Sequence, residues 1–215
     1  MRLFLIFILF TFTNSIYSSE LDIIKATVKL STPGTCTGII YKEDKDYIYI
    51  LSAGHCAAHT KTVKVQLYTN PEPSNWVESD VLFATYIIMT TEDISVIRSE
   101  KSKFGKYPIP KPVSIAEKFS HIKPNDEIFS CGCSDGNWPT LFRGYIQTID
   151  NKEINVYPNI RQGRSGSGLF NSDGKLIGIV VMTEGECVSL DYIYELIPYY
   201  IESPEVELPL IRLLP

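Results

Sequence analysis

The sequence predicts an all-β protein of many short strands in two halves, with a short helix near the C-terminus. Three observations predict it. Short segments rich in Ile, Val, Tyr and Phe recur along the chain, and Gly, Pro, Asn and Asp interrupt them, as expected of strands joined by turns. Patterns that would support long helices are scarce. A Lys- and Pro-rich stretch, Ser99 to Asn125, breaks the strand rhythm near the middle and reads as an extended connector. The chain then divides into a leader at 1–19, an N-terminal half at 20–110 and a C-terminal half with its tail at 111–215.

The elements follow in order. Met1-Arg2 supplies one positive charge, Leu3 to Phe12 is apolar, and Thr13 to Ser19 is polar, which is the pattern of a signal peptide cleaved near Ser18 or Ser19. The apolar core is shorter than the ~20 residues of a membrane span. No second segment is long and apolar enough, so the mature protein is expected to be exported, secreted or periplasmic, with no stable membrane insertion. Strands are expected at Ala26 to Leu30, Gly38 to Tyr41, Tyr47 to Leu51, Thr62 to Tyr68, Val77 to Ile88 and Ile94 to Arg98. After the connector they are expected at Glu127 to Cys131, Leu141 to Ile149, Glu153 to Tyr157, Gly168 to Phe170, Leu176 to Met182 and Asp191 to Tyr194. Glu43-Asp44-Lys45-Asp46 reads as a polar hairpin turn; a calcium loop is the alternative, with carboxylates few and close together. Ala53 to His59 and Val113 to Phe119 suit single helical turns, and a helix is expected around Glu195 to Glu202.

Length and charge bound the function. The mature chain is long enough for two small barrels. A net charge of −5 and a pI near 5.3, with no basic block, argue against nucleic acid as a partner. Five cysteines in an exported chain suggest disulfides plus a spare thiol. Only one of Cys131 and Cys133 is expected to pair with Cys187. The other reading leaves all three as buried free thiols. A metal site lacks a histidine at suitable spacing.

Three segments carry chemistry. In Gln162-Gly163-Arg164-Ser165-Gly166-Ser167-Gly168 a serine sits between glycines, ahead of the apolar run Leu176 to Val181. A nucleophilic serine needs an exposed hydroxyl and N–H groups aimed at one point, and small neighbours permit both. Leu51-Ser52-Ala53-Gly54-His55-Cys56 closes an alternating apolar run, and Glu92-Asp93-Ile94-Ser95-Val96-Ile97 opens another. The order His, Asp, Ser is that of the chymotrypsin-type triad and differs from the subtilisin and α/β-hydrolase orders.

On these residues the chain resembles the trypsin/chymotrypsin-like serine peptidases, above all the bacterial branch with the high-temperature-requirement proteases. That family has Thr-Ala-Ala-His-Cys where this chain has Ser52-Ala53-Gly54-His55-Cys56. Its Gly-x-Ser-Gly-Gly corresponds to Gly163-Arg164-Ser165-Gly166-Ser167. The likeness continues through Asn171 to Ile179 and through Lys123 to Phe129, and spans roughly 24–198. It implies a chymotrypsin-like fold of two six-stranded antiparallel β-barrels, one at 20–110 and one at 111–215, and a serine endopeptidase acting on protein or peptide substrates without a cofactor. His55, Asp93 and Ser165 would be catalytic, with the N–H groups of Gly163 and Ser165 as the oxyanion hole. It further implies a Cys36–Cys56 bridge beside the histidine. The position six before the nucleophile, Asn159, would form the base of the specificity pocket, with Ile160, Val181, Met182 and Thr183 as walls. Asn159 is neutral, so a strong Lys or Arg preference is not implied; Asp191 is the one residue that would supply charge, and its other reading is a turn residue. Only 199–215 follows Pro198, which leaves no room in this sequence for an appended peptide-binding domain.

Two departures bear on the reading. The digestive branch has an aspartate just before the serine, which pairs with a new N-terminal amine after zymogen cleavage; here Arg164 stands there. Ser167 replaces a usual glycine and competes with Ser165 for the nucleophile's role. His59 and His121 read as surface residues. The alternatives to an active peptidase are a catalytically weak or inactive protein of the same fold acting as a binding module, and an unrelated exported β-sandwich adhesion protein. The oligomeric state is not legible in the sequence.

Overall fold

The computed structural model describes residues 20–202, apart from 33, 71, 88–89, 91 and 118–121. The expectations for the leader, for His121 and for the tail beyond 202 lie outside the described residues.

Residues 20–26 form a short helix, α1. Six strands follow: β1 (Thr27–Ser31), β2 (Thr35–Glu43), β3 (Tyr47–Ser52), β4 (Thr62–Leu67), β5 (Val77–Tyr86) and β6 (Asp93–Glu100). They close a barrel in the order β1-β2-β3-β6-β5-β4, and every pairing is antiparallel. Their alternation is the expected one: in β4, Val63, Val65 and Leu67 are buried while Thr62 and Lys64 face water. Burying one such side chain contributes roughly 1.5–3 kcal/mol. The β2–β3 turn is held by Asp44, whose Oδ1 accepts from the N–H groups of Asp46 and Tyr47 at 2.9 and 2.7 Å. Its Oδ2 accepts from the Tyr49 hydroxyl at 2.6 Å. These carboxylate oxygens are spent on closing a hairpin.

The second barrel repeats the plan. β7 (Glu127–Gly132), β8 (Thr140–Ile149), β9 (Glu153–Tyr157), β10 (Gly168–Asn171), β11 (Leu176–Val180) and β12 (Glu186–Ser189) close in the order β10-β11-β12-β9-β8-β7. The connector straps both barrels. Val113 N–H donates to Ile40 O at 3.0 Å, and the Ser114–Ala116 backbone exchanges two bonds with Leu176. Phe129 and Phe170 stack at 5.3 Å, and Phe129, Phe170 and Val181 of the second barrel belong to the same buried cluster as the interior of the first.

The last expected strand is corrected. β12 lies at Glu186–Ser189, and Asp191 to Tyr194 is part of a helix, α2 (Leu190–Leu196), followed by α3 (Pro198–Glu202). The cause is local. The Ser189 hydroxyl accepts the Tyr192 N–H as an N-cap, and Asp191 in the first turn complements the helix dipole. Leu190, Tyr192 and Ile193 then bury one face.

Candidate active site

β3 ends at Ser52, and a single 3-10 turn, Gly54–Cys56, presents His55. The turn presses on the first barrel: a Cβ on Gly54 would lie 1.8 Å from the Thr85 carbonyl oxygen, so only glycine fits. Asp93 opens β6 and is 1 % exposed. Its Oδ2 is 2.7 Å from His55 Nδ1, and its Oδ1 accepts the His55 backbone N–H, also at 2.7 Å. Both carboxylate oxygens are thus committed to one residue. Because the carboxylate accepts, the ring proton belongs on Nδ1, and Nε2 is left as an open basic edge. The Tyr86 ring stands edge-on to the imidazole at 5.7 Å. The Ser95 hydroxyl donates to Ala53 O at 3.0 Å and fixes the start of the turn.

Cys36 on β2 and Cys56 in the turn are joined in a disulfide, as the resemblance implied. A bond from Cys187 to Cys131 or Cys133 is not found: all three are buried free thiols. The barrel order explains this. β7, which carries Cys131 and ends just before Cys133, lies three strands from β12, on the opposite side of the barrel. Cys131 packs with the inter-barrel cluster, and Cys187 with the interior of the second barrel. Burial pushes the Cys131 and Cys133 thiols up to about 11, and raises Cys187 as well. Cys36, His55 and Cys56 are the one metal-compatible grouping among the described residues, and two of its sulfurs are used in the disulfide.

The serine segment meets the histidine turn across the two barrels. The Ser165 carbonyl accepts the Thr37 N–H at 2.8 Å and lies 3.9 Å from Cys56 Sγ. The partly exposed Ser165 hydroxyl points to the Val181 carbonyl at 3.4 Å. Ser167 differs in kind. It is fully buried, its Oγ has no partner among the described residues, and a Cβ on Gly132 would sit 2.1 Å from that atom. Gly132 is what makes room for the serine that replaces the usual glycine. Gly163 adopts φ +88°, and a side chain there would meet the Cys133 carbonyl at 2.2 Å. Gln162 O accepts the Asp135 N–H at 2.9 Å, which turns the N–H of the trans 162–163 peptide the opposite way. Among the described residues, neither Gly163 N–H nor Ser165 N–H has a hydrogen-bond partner.

The residues expected around a pocket are spread along two loops. Asn159 is exposed and Ile160 buried. β11 ends at Val180, and Val181–Gly185 forms a tight turn closed by Met182 N–H to Glu186 O at 3.2 Å. Val181 is buried, Met182 half-buried and Thr183 exposed. Asp191 stands in the first turn of α2, and His59 is exposed. Sequence reasoning missed Thr37, Tyr86 and Gly132, which touch the site only through contacts distant in the chain. A Thr-Cys-Thr-Gly segment draws the eye to its cysteine alone.

With this geometry in view, comparison with known proteins is specific. Residues 36–179 match the family described as trypsin-like peptidase domain. The fold is similar to the crystal structure of Deg5, with a TM-score of 0.69 and 16 % identity over 90 % of this chain and 97 % of that one. It is also similar to the serine endoprotease from Yersinia pestis, at 0.67 and 19 % over 89 % and 68 %. The inactive form of the Rv3671c protease gives 0.65 and 16 % over 86 % and 93 %. At these identities the structures speak for the fold alone. No curated protein matches in sequence.

Proposed function

The chain belongs to the trypsin-like peptidase domain family, and from that premise we propose that it is an exported serine endopeptidase acting through His55, Asp93 and Ser165. The observation that carries the reading is the double bond pattern from Asp93 to His55, which leaves Nε2 as a base beside the serine segment. Ser165 Oγ attacks the peptide carbonyl while His55 Nε2 takes its proton, and the carbonyl oxygen gains the negative charge. The unpaired N–H groups of Gly163 and Ser165 receive that charge, a contribution of ~3 kcal/mol per donor in such sites. The imidazolium then gives its proton to the leaving amine, and water removes the acyl group by the reverse sequence. For the first step the serine hydroxyl leaves Val181 O for Nε2. That is a rotamer change of a partly exposed side chain, and such bonds are often loose in unliganded sites. Export is supported by the leader-like first residues and by the Cys36–Cys56 bridge, which persists in oxidising compartments.

The second reading, a binding module on the same fold, draws support from the serine hydroxyl's contact with Val181 O. A fluorophosphonate probe separates the two. We expect covalent labelling of the purified protein at Ser165 that is lost in Ser165→Ala and kept in Ser167→Ala. An unlabelled wild-type protein, or labelling at Ser167, defeats the peptidase assignment as written.

A further inference from the structure

Arg164 sits between the two candidate oxyanion donors, and its side chain turns inward. It is 3 % exposed. Nε donates to Ser134 Oγ at 2.6 Å, Nη2 to Thr140 O and Oγ1 at 2.8 Å each, and Nη1 more weakly to Ser130 O at 3.4 Å. The guanidinium also faces the Phe142 ring at 5.8 Å. Among the described residues no carboxylate pairs with it. Burying a cation without a counter-charge is costly, and such groups are kept where their hydrogen bonds are needed. The bonds here run to one object, the segment from Ser130 through the short turn Ser134–Gly136 to Thr140. That turn is the one whose Asp135 N–H holds Gln162 O and so orients the 162–163 peptide.

Thr37 of the first barrel grips the same loop from the other side. Its hydroxyl donates to Gly163 O at 3.1 Å and accepts the Cys133 N–H at 3.1 Å, while its own N–H holds Ser165 O. Lys29 Nζ adds a bond to Gly136 O at 3.1 Å. Among the described residues, Gly163 and Ser165 are therefore fixed through neighbours on both barrels.

We propose that Arg164 and Thr37 are positioning residues that clamp the 162–165 loop with both N–H donors presented, doing the work that a new N-terminal amine does in the digestive branch. The proposal rests on Ser165 being the nucleophile. It makes this loop ready as soon as the barrels dock, because a fork of fixed donors on Arg164 and a two-way hydroxyl on Thr37 over-determine it.

The test uses the full mature protein and a fluorogenic peptide, with Arg164→Met, Arg164→Lys and Thr37→Val, each scaled to its folded fraction by circular dichroism. A loop displaced by an ångström costs about 100-fold in rate, so Arg164→Met and Thr37→Val should lower kcat by about that factor. KM and the pH profile, which reports His55, should stay as in wild type. Arg164→Lys keeps the charge but not the fork, and should fall between Met and wild type. A structural role alone would lower the folded fraction and leave kcat per folded molecule unchanged, which overturns the proposal, as does a loss confined to KM. Should Arg164→Met not fold, Thr37→Val decides by the same criterion. An inactive wild type with no fluorophosphonate labelling would instead sink the underlying peptidase reading, so the two failures are distinguishable.

Discussion

Replacing Asp93 by Asn tests the proposed chemistry with little change of shape. The two bonds that Asp93 accepts differ in what they tolerate. The His55 backbone N–H, 2.7 Å from Oδ1, can only donate. The amide oxygen of Asn must stay on it, since an NH2 group there would leave two buried donors facing each other at a cost of about 1–3 kcal/mol. The amide nitrogen then necessarily faces His55 Nδ1, where Oδ2 now lies at 2.7 Å. It donates to Nδ1 and drives the ring proton to Nε2, the atom that must accept the proton of Ser165. The side chain remains packed and the histidine remains in place, but as the wrong tautomer. The expected outcome is a kcat about 10⁴-fold lower, or about 5.4 kcal/mol in the barrier, with an unchanged melting temperature within a few degrees. Steady-state hydrolysis of a peptide substrate, beside a thermal melt, measures both. A kcat within tenfold of wild type would refute the reasoning.

Two further outcomes follow from the same structure. Replacing Cys36 and Cys56 together by Ala opens a loop with a sequence separation of 20 and should lower unfolding free energy by about 3 kcal/mol in urea titrations, by the loop-entropy argument; a shift below about 1 kcal/mol would show that the bridge does not restrain the unfolded chain. Peptide-library profiling should show a broad preference for medium-sized apolar or uncharged residues before the cleaved bond. Asn159 is neutral and Val181 and Met182 are apolar, and one methylene changes discrimination by only about 1–3 kcal/mol. Overwhelming cleavage after Lys or Arg, removed by Asp191→Ser, would show that the pocket is acidic.

The strands were legible because their evidence is local: alternating Val63, Val65 and Leu67, or Tyr47 to Leu51, record a barrel wall in the sequence itself. The His55, Asp93 and Ser165 segments stand out for the same reason, since each lies close to a strand end. The helix at Leu190–Leu196 was misread as a strand because Asp191-Tyr192-Ile193-Tyr194 is rich in strand-favouring residues, and the Ser189 cap outweighs that preference. The fate of Cys187 turned on which strands are neighbours around a closed barrel, and periodicity carries no such information. Thr37 and Arg164 were opaque as partners of the loop for a related reason. Their bonds join residues as far apart as 126 positions, and a hydroxyl that bridges Gly163 O and Cys133 N leaves no trace in local pattern.

The proposed base and its carboxylate come from the first barrel and the proposed nucleophile from the second. Neither half alone carries all three proposed residues, and the seam between them is closed by Thr37, by the connector and by the shared buried cluster that takes in Phe129, Phe170 and Val181. On the proposed reading, cutting power would be a property of the docked pair alone. On that reading, a chain with only one barrel in place would hold a histidine without its serine or a serine without its histidine. Geometry itself would keep such a chain from cutting until the two barrels come to rest against each other.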